Sequence, residues 1–317
     1  MFTIERSKAN AELRMAVVSA LQDLMKTDDK VVALEADLGG ASGWTKIQKT
    51  NPDRFINVGI AEANMTGIAA GLSIGGWTPF IHTFAPFATR RAYDQLYLSG
   101  AYAHNTVNIY GSDPGFAAGP NGGTHTSFED IALMREIPFS VICDAADYVQ
   151  MRWIIKTFSK LKGIHYVRGN RKAVNNIYKE GSEFELGKGN VLRKGKDVLV
   201  ITAGQLVWDA LEAADELKND IDVEVVDMFT IKPFDFKLLS ECLKGKKGVV
   251  SFENHSIFGG IGSIISEYLA ERAAAIPLKR VGICERFGEV GSQDYLQKAY
   301  GLTSADLKAA IRSFANR

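Results

Sequence analysis

The chain has 317 residues, with 37 basic and 37 acidic side chains, and 46% of its residues are hydrophobic. This length corresponds to about two domains of roughly 150 residues each, and the ordinary composition excludes disordered and fibrous proteins. Because the net charge is zero, no electrostatic pattern indicates binding to nucleic acid or to an anionic membrane.

The cysteine content and the apolar segments bear on where the protein works. Cys143, Cys242 and Cys284 are far apart and show no CxxC spacing, which fits a reducing compartment better than a disulfide framework. The first residues are charged and lack the apolar run of a signal peptide. No apolar stretch approaches the roughly 20 residues that span a bilayer. We therefore expect a cytoplasmic protein.

The first half of the chain alternates short apolar runs with segments of helical periodicity. Apolar spacing predicts a helix over 8–25, and helical patterns also cover 62–74 and 89–103. Continuous apolar strands that alternate with helices indicate a parallel sheet covered on both faces. The predicted strands are 31–38, 55–60, 77–84, 106–111, 139–145 and 164–169.

After residue 171 the pattern stops and then resumes. Residues 172–193 are polar and weakly periodic, which predicts a linker that could contain a hairpin. We predict an α/β fold of two domains, each a mainly parallel sheet flanked by helices, over 1–171 and 194–317. The second domain is expected to contain strands over 197–204, 223–228, 248–254 and 278–283, with helices ending at 218 and spanning 262–275.

A carboxylate stands at one predicted strand-to-helix junction. Glu62, in NVGIAEANMTGIAAGL, begins a helix rich in alanine and glycine. In open α/β folds ligands bind at this end of the sheet, so Glu62 is a candidate catalytic residue. A first-turn glutamate that only complements the helix dipole would give the same pattern. Spacing alone leaves both interpretations open.

His125 lies in a long loop, SDPGFAAGPNGGTHTSFED, that a packed core does not require. Long loops in compact domains are usually functional or disordered. A histidine that leads into the next helical pattern can act as an acid, a base or a hydrogen-bond donor. The alternative is a surface histidine without a chemical role.

Two further groups are candidates for ligand binding. Phe84 and Phe87 have the i, i+3 spacing of ordinary core packing, although either ring could stack on a flat ligand. Arg168 and Arg171 follow a predicted strand, and Arg14 lies far from them in sequence. The planar guanidinium suits phosphate, but exposed arginines are common.

The sequence GGIGS at 259–263, after Glu253-Asn254-His255, superficially suggests a dinucleotide fingerprint. It lacks the complete GxGxxG pattern and the acidic residue about 20 positions further on. We predict a tight helix start at which an anion or a neighbouring subunit could bind, and not a nicotinamide site.

Six motifs stand in order along the chain: EADL, NVGIAEANMTGIAAGL, PFIHTFAPFATRRAYDQL, GPNGGTHTSFEDIALMREIP, YVRGNR and SFENHSIFGGIGS. Together they resemble the C-terminal portion of transketolase, over essentially the whole chain from Arg14 onward. The resemblance implies the pyrimidine-binding domain and the C-terminal domain of a thiamine-diphosphate enzyme. In this family a further N-terminal domain holds the diphosphate and a divalent metal through a GDG-type motif, which is absent here. The resemblance therefore implies a separate N-terminal subunit that holds the diphosphate and Mg²⁺ (or Ca²⁺ or Mn²⁺). It also implies that two copies of each chain form a heterotetramer.

The resemblance also implies roles for individual residues. Glu62 matches the glutamate that hydrogen-bonds a pyrimidine ring nitrogen of the cofactor, and Phe84 matches the aromatic residue that stacks on that ring. His125 matches a histidine that contacts substrate oxygens. The remaining implied site residues are Phe87 and Asp37 near the cofactor, with Arg14, Arg171 and Ser42 on the sugar phosphate; Arg168 is a further candidate for the phosphate.

Two positions depart from the family pattern. The family's DGPTH motif is NGGTH here, so Asn121 replaces an aspartate that contacts a substrate hydroxyl. His82 stands where small hydroxyl residues are usual, close to Phe84. Both departures put the preferred sugar in doubt.

The implied reaction is the transfer of a two-carbon ketol unit from a ketose phosphate to an aldose acceptor. The alternatives are a pyruvate dehydrogenase beta subunit, a deoxyxylulose phosphate synthase-like enzyme half, and a scaffold subunit without catalysis. The segment NGGTHTSFEDIALMREIP fits transketolase better than the first of these. The presence of both Glu62 and His125 speaks against a scaffold.

Overall fold

The structure is a computed structural model that describes residues 1–9 and 11–314. The chain divides into two compact units, each made of two segments. The first unit comprises Met1–Pro114 and Leu133–Phe184, and the second comprises Gly115–Ala132 and Glu185–Arg317. The division therefore assigns the loop that contains His125 to the second unit. The predicted domain boundaries, with a linker over 172–193, stay a prediction.

The first unit is built on a parallel sheet of apolar strands. Its strands are β1 (Ile4–Ser7), β2 (Val31–Glu35), β3 (Phe55–Asn57), β4 (Thr78–Phe84), β5 (Val107–Ser112), β6 (Val141–Asp144), β7 (Ile164–Gly169) and β8 (Asn176–Tyr178). Six of them are arranged in parallel in the order β6-β7-β5-β4-β2-β3. Every residue of β2 and β5 is buried, as expected for strands covered by helices on both faces.

The helices of the first unit follow the predicted pattern in most places. The α-helices are α1 (Leu13–Thr27), α2 (Gly39–Ser42), α3 (Thr45–Thr50), α4 (Glu62–Ile74), α5 (Ala85–Ala88) and α6 (Tyr93–Gln95). The next helix, α7 (Asp130–Arg135), contains the point at which the chain returns to the first unit, and α8 (Tyr148–Phe158) follows it.

The single helix expected over 89–103 is interrupted. A 3₁₀ turn at Arg90–Ala92 precedes α6, and a π-helical segment, Leu96–Tyr102, follows it. In the π-helical segment backbone amides bond five residues back, as Asn105 N does to Gly100 O at 2.8 Å. Apolar periodicity does not distinguish these local geometries.

The second unit has a smaller, mixed sheet. The strands in this part of the chain are β9 (Asn190–Arg193), β10 (Val198–Thr202), β11 (Val223–Asp227), β12 (Thr230–Lys232), β13 (Gly248–Ser256) and β14 (Leu278–Ile283). The helices are α9 (Val207–Leu217), α10 (Phe236–Cys242), α11 (Ile261–Glu271), α12 (Gln293–Ala299) and α13 (Ser304–Arg312). The five-stranded sheet has the order β14-β13-β10-β11-β9, with only β9 antiparallel to its neighbour. The predicted α/β fold of two domains with mainly parallel sheets is confirmed.

The segment 172–193 contains two strands that do not form a hairpin with each other. β8 pairs antiparallel with β1, near the start of the chain, whereas β9 is the edge strand of the second sheet. A sequence window cannot reveal a strand partner that lies about 170 residues away. Along 1–9 and 11–314, no helix combines the length and the apolar character that crossing a membrane requires.

Candidate functional site

The carboxyl ends of the parallel strands bring the candidate residues of the first unit together. In the sheet register Glu35 pairs with His82, and Phe84 pairs with Ser112. The ends of β2, β4 and β5 therefore lie side by side at one edge. In open α/β sheets this edge is where ligands bind.

Glu62 is the first residue of α4 and is only 3% exposed. Its Oε1 accepts a hydrogen bond from Arg91 Nη1 at 2.8 Å and a long one from Thr83 Oγ1 at 3.5 Å. Within residues 1–9 and 11–314 nothing donates to its Oε2. A buried carboxylate with one anchored and one open oxygen differs from a glutamate that merely complements a helix dipole.

Aromatic rings and arginines surround this carboxylate. Phe84 and Phe87 meet edge to face, with ring centroids 6.0 Å apart. The Arg91 guanidinium lies 3.8 Å from the centroid of Phe87, and the Arg171 guanidinium lies 4.6 Å from that of Phe84. The structure therefore places Phe84, Phe87 and Arg171 in one continuous set of contacts.

Arg171 is held by a buried carboxylate at the end of β5. Its backbone N–H donates to Asp113 Oδ1 at 2.7 Å, and its Nε donates to Asp113 Oδ2. Burial raises the pKa of Asp113, and the charge of Arg171 opposes that shift. The two terminal nitrogens of Arg171 make no hydrogen bond within the described residues, so they remain available to an anion.

His82 is fully buried at the centre of a hydrogen-bonded chain. Its Nδ1 lies 3.4 Å from Glu35 Oε2, and its Nε2 lies 3.0 Å from Ser112 Oγ. The ring is flanked by those of Trp44 and Tyr110, at 5.4 and 5.2 Å between centroids. Burial lowers the pKa of His82, although the hydrogen bond to Glu35 opposes the shift. This residue supports the site from inside the sheet and does not line its surface.

Arg14 is close to Arg171 but its own donors are occupied. The Arg14 backbone N–H bonds the Arg171 carbonyl at 3.3 Å. Its side chain contacts Glu12 at 2.8 Å and the carbonyl of Ala41 at 2.6 Å. A phosphate at Arg14 would therefore have to compete with these contacts.

Ser42, Asp37 and Arg168 occupy three different settings. Ser42 is buried, and its Oγ donates to the Gly39 carbonyl at 3.3 Å. Asp37 is exposed, with a φ of 58°, and accepts a bond from Asn57 Nδ2 at 3.3 Å. Arg168 is fully buried in β7, where Nη1 binds Asp144 Oδ2 at 3.1 Å. Arg168 is thus not among the exposed or half-exposed side chains that a phosphate could reach.

The loop with His125 is ordered by contacts within the second unit. Phe116 N donates to Asn254 Oδ1 at 3.1 Å, and Gly115 has a φ of 59° where a Cβ would lie 1.9 Å from that oxygen. His125 is partly exposed, and its Nδ1 lies 2.8 Å from Thr124 Oγ1. Asn121 is exposed. The loop is therefore a packed scaffold that leaves its NGGTH segment at the surface.

The GGIGS motif has a structural explanation inside the same unit. Glu253, only 2% exposed, accepts bonds from Ile261 N at 2.7 Å and Gly262 N at 2.9 Å, the first amides of α11. A Cβ on Gly260 would lie 2.0 Å from the Glu253 carboxylate. Because an internal carboxylate already fills this helix start, an anion has no place there.

Several residues of the first site were not assigned a role from the sequence. No role follows from the sequence for Arg91, Asp113, Glu35 or Ser112. The signal that could have found them is their position, because all but Arg91 end or directly follow a parallel strand. Along 1–9 and 11–314, no cluster of three or more His, Cys, Asp or Glu side chains could hold a metal ion.

The parallel sheet thus gathers a buried carboxylate, paired aromatic rings and an arginine at its carboxyl edge, which is the edge at which open α/β folds bind ligands. Residues 9–176 match the family "Transketolase, pyrimidine binding domain", and residues 187–307 match "Transketolase, C-terminal domain". The chain belongs to the transketolase family.

Similar proteins include subunits of divided transketolases. The chain is 42% identical over 306 residues to the 6-deoxy-6-sulfo-D-fructose transketolase subunit SqwH of Clostridium sp. (strain MSTE9), covering 96% of this chain and 95% of that one. It is 33% identical over 297 residues to an apulose-4-phosphate transketolase subunit of Actinobacillus succinogenes, covering 93% and 96%. A solved "Split gene transketolase, inactive beta4 tetramer" is 38% identical, with a TM-score of 0.88 over 97% of this chain and 99% of that chain.

Proposed function

We propose that this chain is the C-terminal subunit of a two-chain, thiamine-diphosphate-dependent transketolase. A separate N-terminal subunit would supply the diphosphate and metal site, with Mg²⁺, Ca²⁺ or Mn²⁺, in a heterotetramer of two copies of each chain. The observation that carries the proposal is the buried Glu62 carboxylate, with its open Oε2, beside Phe84 and Phe87.

These residues fit the ring of the cofactor. An aminopyrimidine offers a ring nitrogen that can share a proton with a carboxyl group, and a flat face that an aromatic side chain can cover. Bound thiamine diphosphate supplies the electron sink for breaking and forming carbon–carbon bonds. Glu62 would hold the shared proton, and Phe84, with Phe87 behind it, would fix the plane of the ring. Asp37 would lie near the cofactor.

We assign the substrate to the basic and hydroxyl-bearing residues. Arg171, with its two open nitrogens, is the main anion-binding residue of the proposal, and Arg14 assists it. Ser42, which is fully buried and bonded to the Gly39 carbonyl, would support this region from within. His125 and Asn121 would contact substrate hydroxyls or the reacting oxygen. Arg168, which is buried on Asp144, is retained only as a support of the strand.

The substrate class follows from the relatives' names. One relative is named for a sulfonated ketose and another for a sugar phosphate. Both sugars carry a tetrahedral anion that a guanidinium can bind. We therefore propose a ketose donor with a terminal phosphate or sulfonate, and an aldose acceptor.

Reconstitution tests the proposal. The purified chain alone should show no ketol transfer, and the partner chain with thiamine diphosphate and Mg²⁺ should restore it. A sulfonated ketose and a ketose phosphate should be offered as donors, with product aldose measured by mass spectrometry. His125→Ala is expected to reduce sugar turnover more than cofactor affinity. The absence of transfer with every donor, in a complex that assembles, would favour a scaffold subunit.

A further inference from the structure

Arg91 connects the two halves of the proposed ring site. Its Nη1 donates to Glu62 Oε1 at 2.8 Å, and its guanidinium lies 3.8 Å from the centroid of Phe87. Phe87 in turn meets Phe84 at 6.0 Å. One side chain therefore contacts both the carboxylate and one ring of the aromatic pair.

The local fold places Arg91 at this point. α5 ends after one turn, and the buried Thr89 bonds the Ala85 carbonyl through its N–H at 3.1 Å and through its Oγ1 at 2.8 Å. The 3₁₀ turn Arg90–Ala92 follows directly. This fixed turn brings Arg91 back over the ring of Phe87.

The ion pair is not an ordinary surface salt bridge. The Arg91 side chain is 46% exposed, whereas that of Glu62 is only 3% exposed. Exposed pairs contribute about 0–1 kcal/mol. Loss of one partner costs far more when the remaining charge is buried. Loss of Arg91 should therefore cost more free energy than loss of Glu62, because it leaves a buried charge unpaired, whereas loss of Glu62 leaves a half-exposed arginine.

We propose that Arg91 is a positioning residue for Glu62, an inference that rests on the proposed function. Arg91, together with Thr83, anchors Oε1 and leaves Oε2 as the oxygen that meets the pyrimidine ring. Because Arg91 also packs on Phe87, it fixes the position of the carboxylate relative to the aromatic side chains on which the pyrimidine ring would stack. Arg91 itself touches neither cofactor nor substrate in this scheme.

Variants of the assembled complex test this role. Arg91→Met keeps the length of the side chain and removes the charge and the donors. Arg91→Lys keeps the charge but loses the planar stack and the fork. Arg90→Met is the matched control, because it removes the same charge from the exposed neighbouring residue. Thiamine diphosphate affinity is measured by fluorescence quenching, turnover by donor cleavage, and folding by thermal unfolding.

We expect Arg91→Met to lower kcat by about 100-fold, as misplacement of a catalytic group does, and to raise the Kd for thiamine diphosphate by about tenfold through the disturbed hydrogen bond. The KM for the sugar donor should stay within about twofold. Arg91→Lys should recover part of both losses, and Arg90→Met should match the wild type.

Three results would overturn the inference. In the first, kcat and Kd of Arg91→Met both stay near the wild-type values. In the second, they change only as far as the melting temperature does, and Arg91→Lys rescues nothing. In the third, Arg90→Met reproduces the losses. Failure of the proposed function would look different, because the wild-type complex itself would then neither bind thiamine diphosphate nor transfer ketol units.

Discussion

Two buried glutamates occupy helix starts in the two units and differ in what binds them. Glu253 is 2% exposed, and each of its oxygens accepts a bond from a backbone N–H of α11. Glu62 is 3% exposed, but all the bonds it accepts from residues 1–9 and 11–314 go to Oε1. Burial and position at a helix start are the same, so they do not separate a structural acid from a chemical one. The two acids differ in the second oxygen, which is bonded in Glu253 and open in Glu62 within the described residues.

The largest expected effect is on turnover, at Glu62. Glu62→Gln keeps the shape of the side chain but cannot carry the shared proton. Because general acid–base catalysis contributes about 10²–10⁴-fold, turnover of the reconstituted complex should fall by at least about 100-fold. Thermal unfolding of the variant should match the wild type.

The matched change at Glu253 should act on stability instead. Glu253→Ala leaves two buried amides without acceptors, and bonds to charged groups are worth about 1.5–3 kcal/mol each. We expect a loss of about 3 kcal/mol in the free energy of unfolding, measured with urea. Glu253→Gln should be intermediate. If Glu253→Ala left stability unchanged while Glu62→Gln unfolded the chain, the contrast between the two acids would be reversed.

The alternation of strands and helices was predictable because both sheets are mainly parallel and buried, so their strands are continuous apolar runs such as β2 and β10. Glu62 was predictable as an acid at a strand-to-helix junction. Its partner Arg91 was not, because the bond depends on a broken helix whose turns periodicity cannot distinguish. The pairing of β8 with β1 also depends on distant contacts.

His82 provides the next test, since it has no surface role in the structure. His82→Ala removes the contacts of its ring nitrogens to Glu35 and Ser112. Unsatisfied buried groups cost about 1–3 kcal/mol each, so we expect a loss of about 2 kcal/mol in unfolding free energy at pH 8.

The pH dependence has a definite sign at His82. Burial lowers its pKa from 6.5, so the unfolded chain binds more protons than the folded one as the pH falls. The contribution of His82 is present above the unfolded pKa and is lost below it. The difference in unfolding free energy between the wild type and His82→Ala should therefore shrink below about pH 6.5. A difference that grew on acidification would contradict a neutral, buried histidine.

The smallest effect is expected in the second unit, at Asp209 on α9. Burial is the main cause that raises its pKa to about 7, and a bond from Gln297 Nε2 at 3.0 Å opposes the shift. A raised pKa means that the folded chain holds a proton that the unfolded chain has lost, so stability declines as pH rises from about 4 to 7.

Asp209→Asn keeps the acceptor oxygen and removes the charge. We expect it to stabilise the chain by about 1–2 kcal/mol at pH 8 and by nearly nothing at pH 4. Urea unfolding at the two pH values measures this. An equal gain in unfolding free energy at both pH values would show that packing of the amide accounts for the change, and not the ionisation of Asp209.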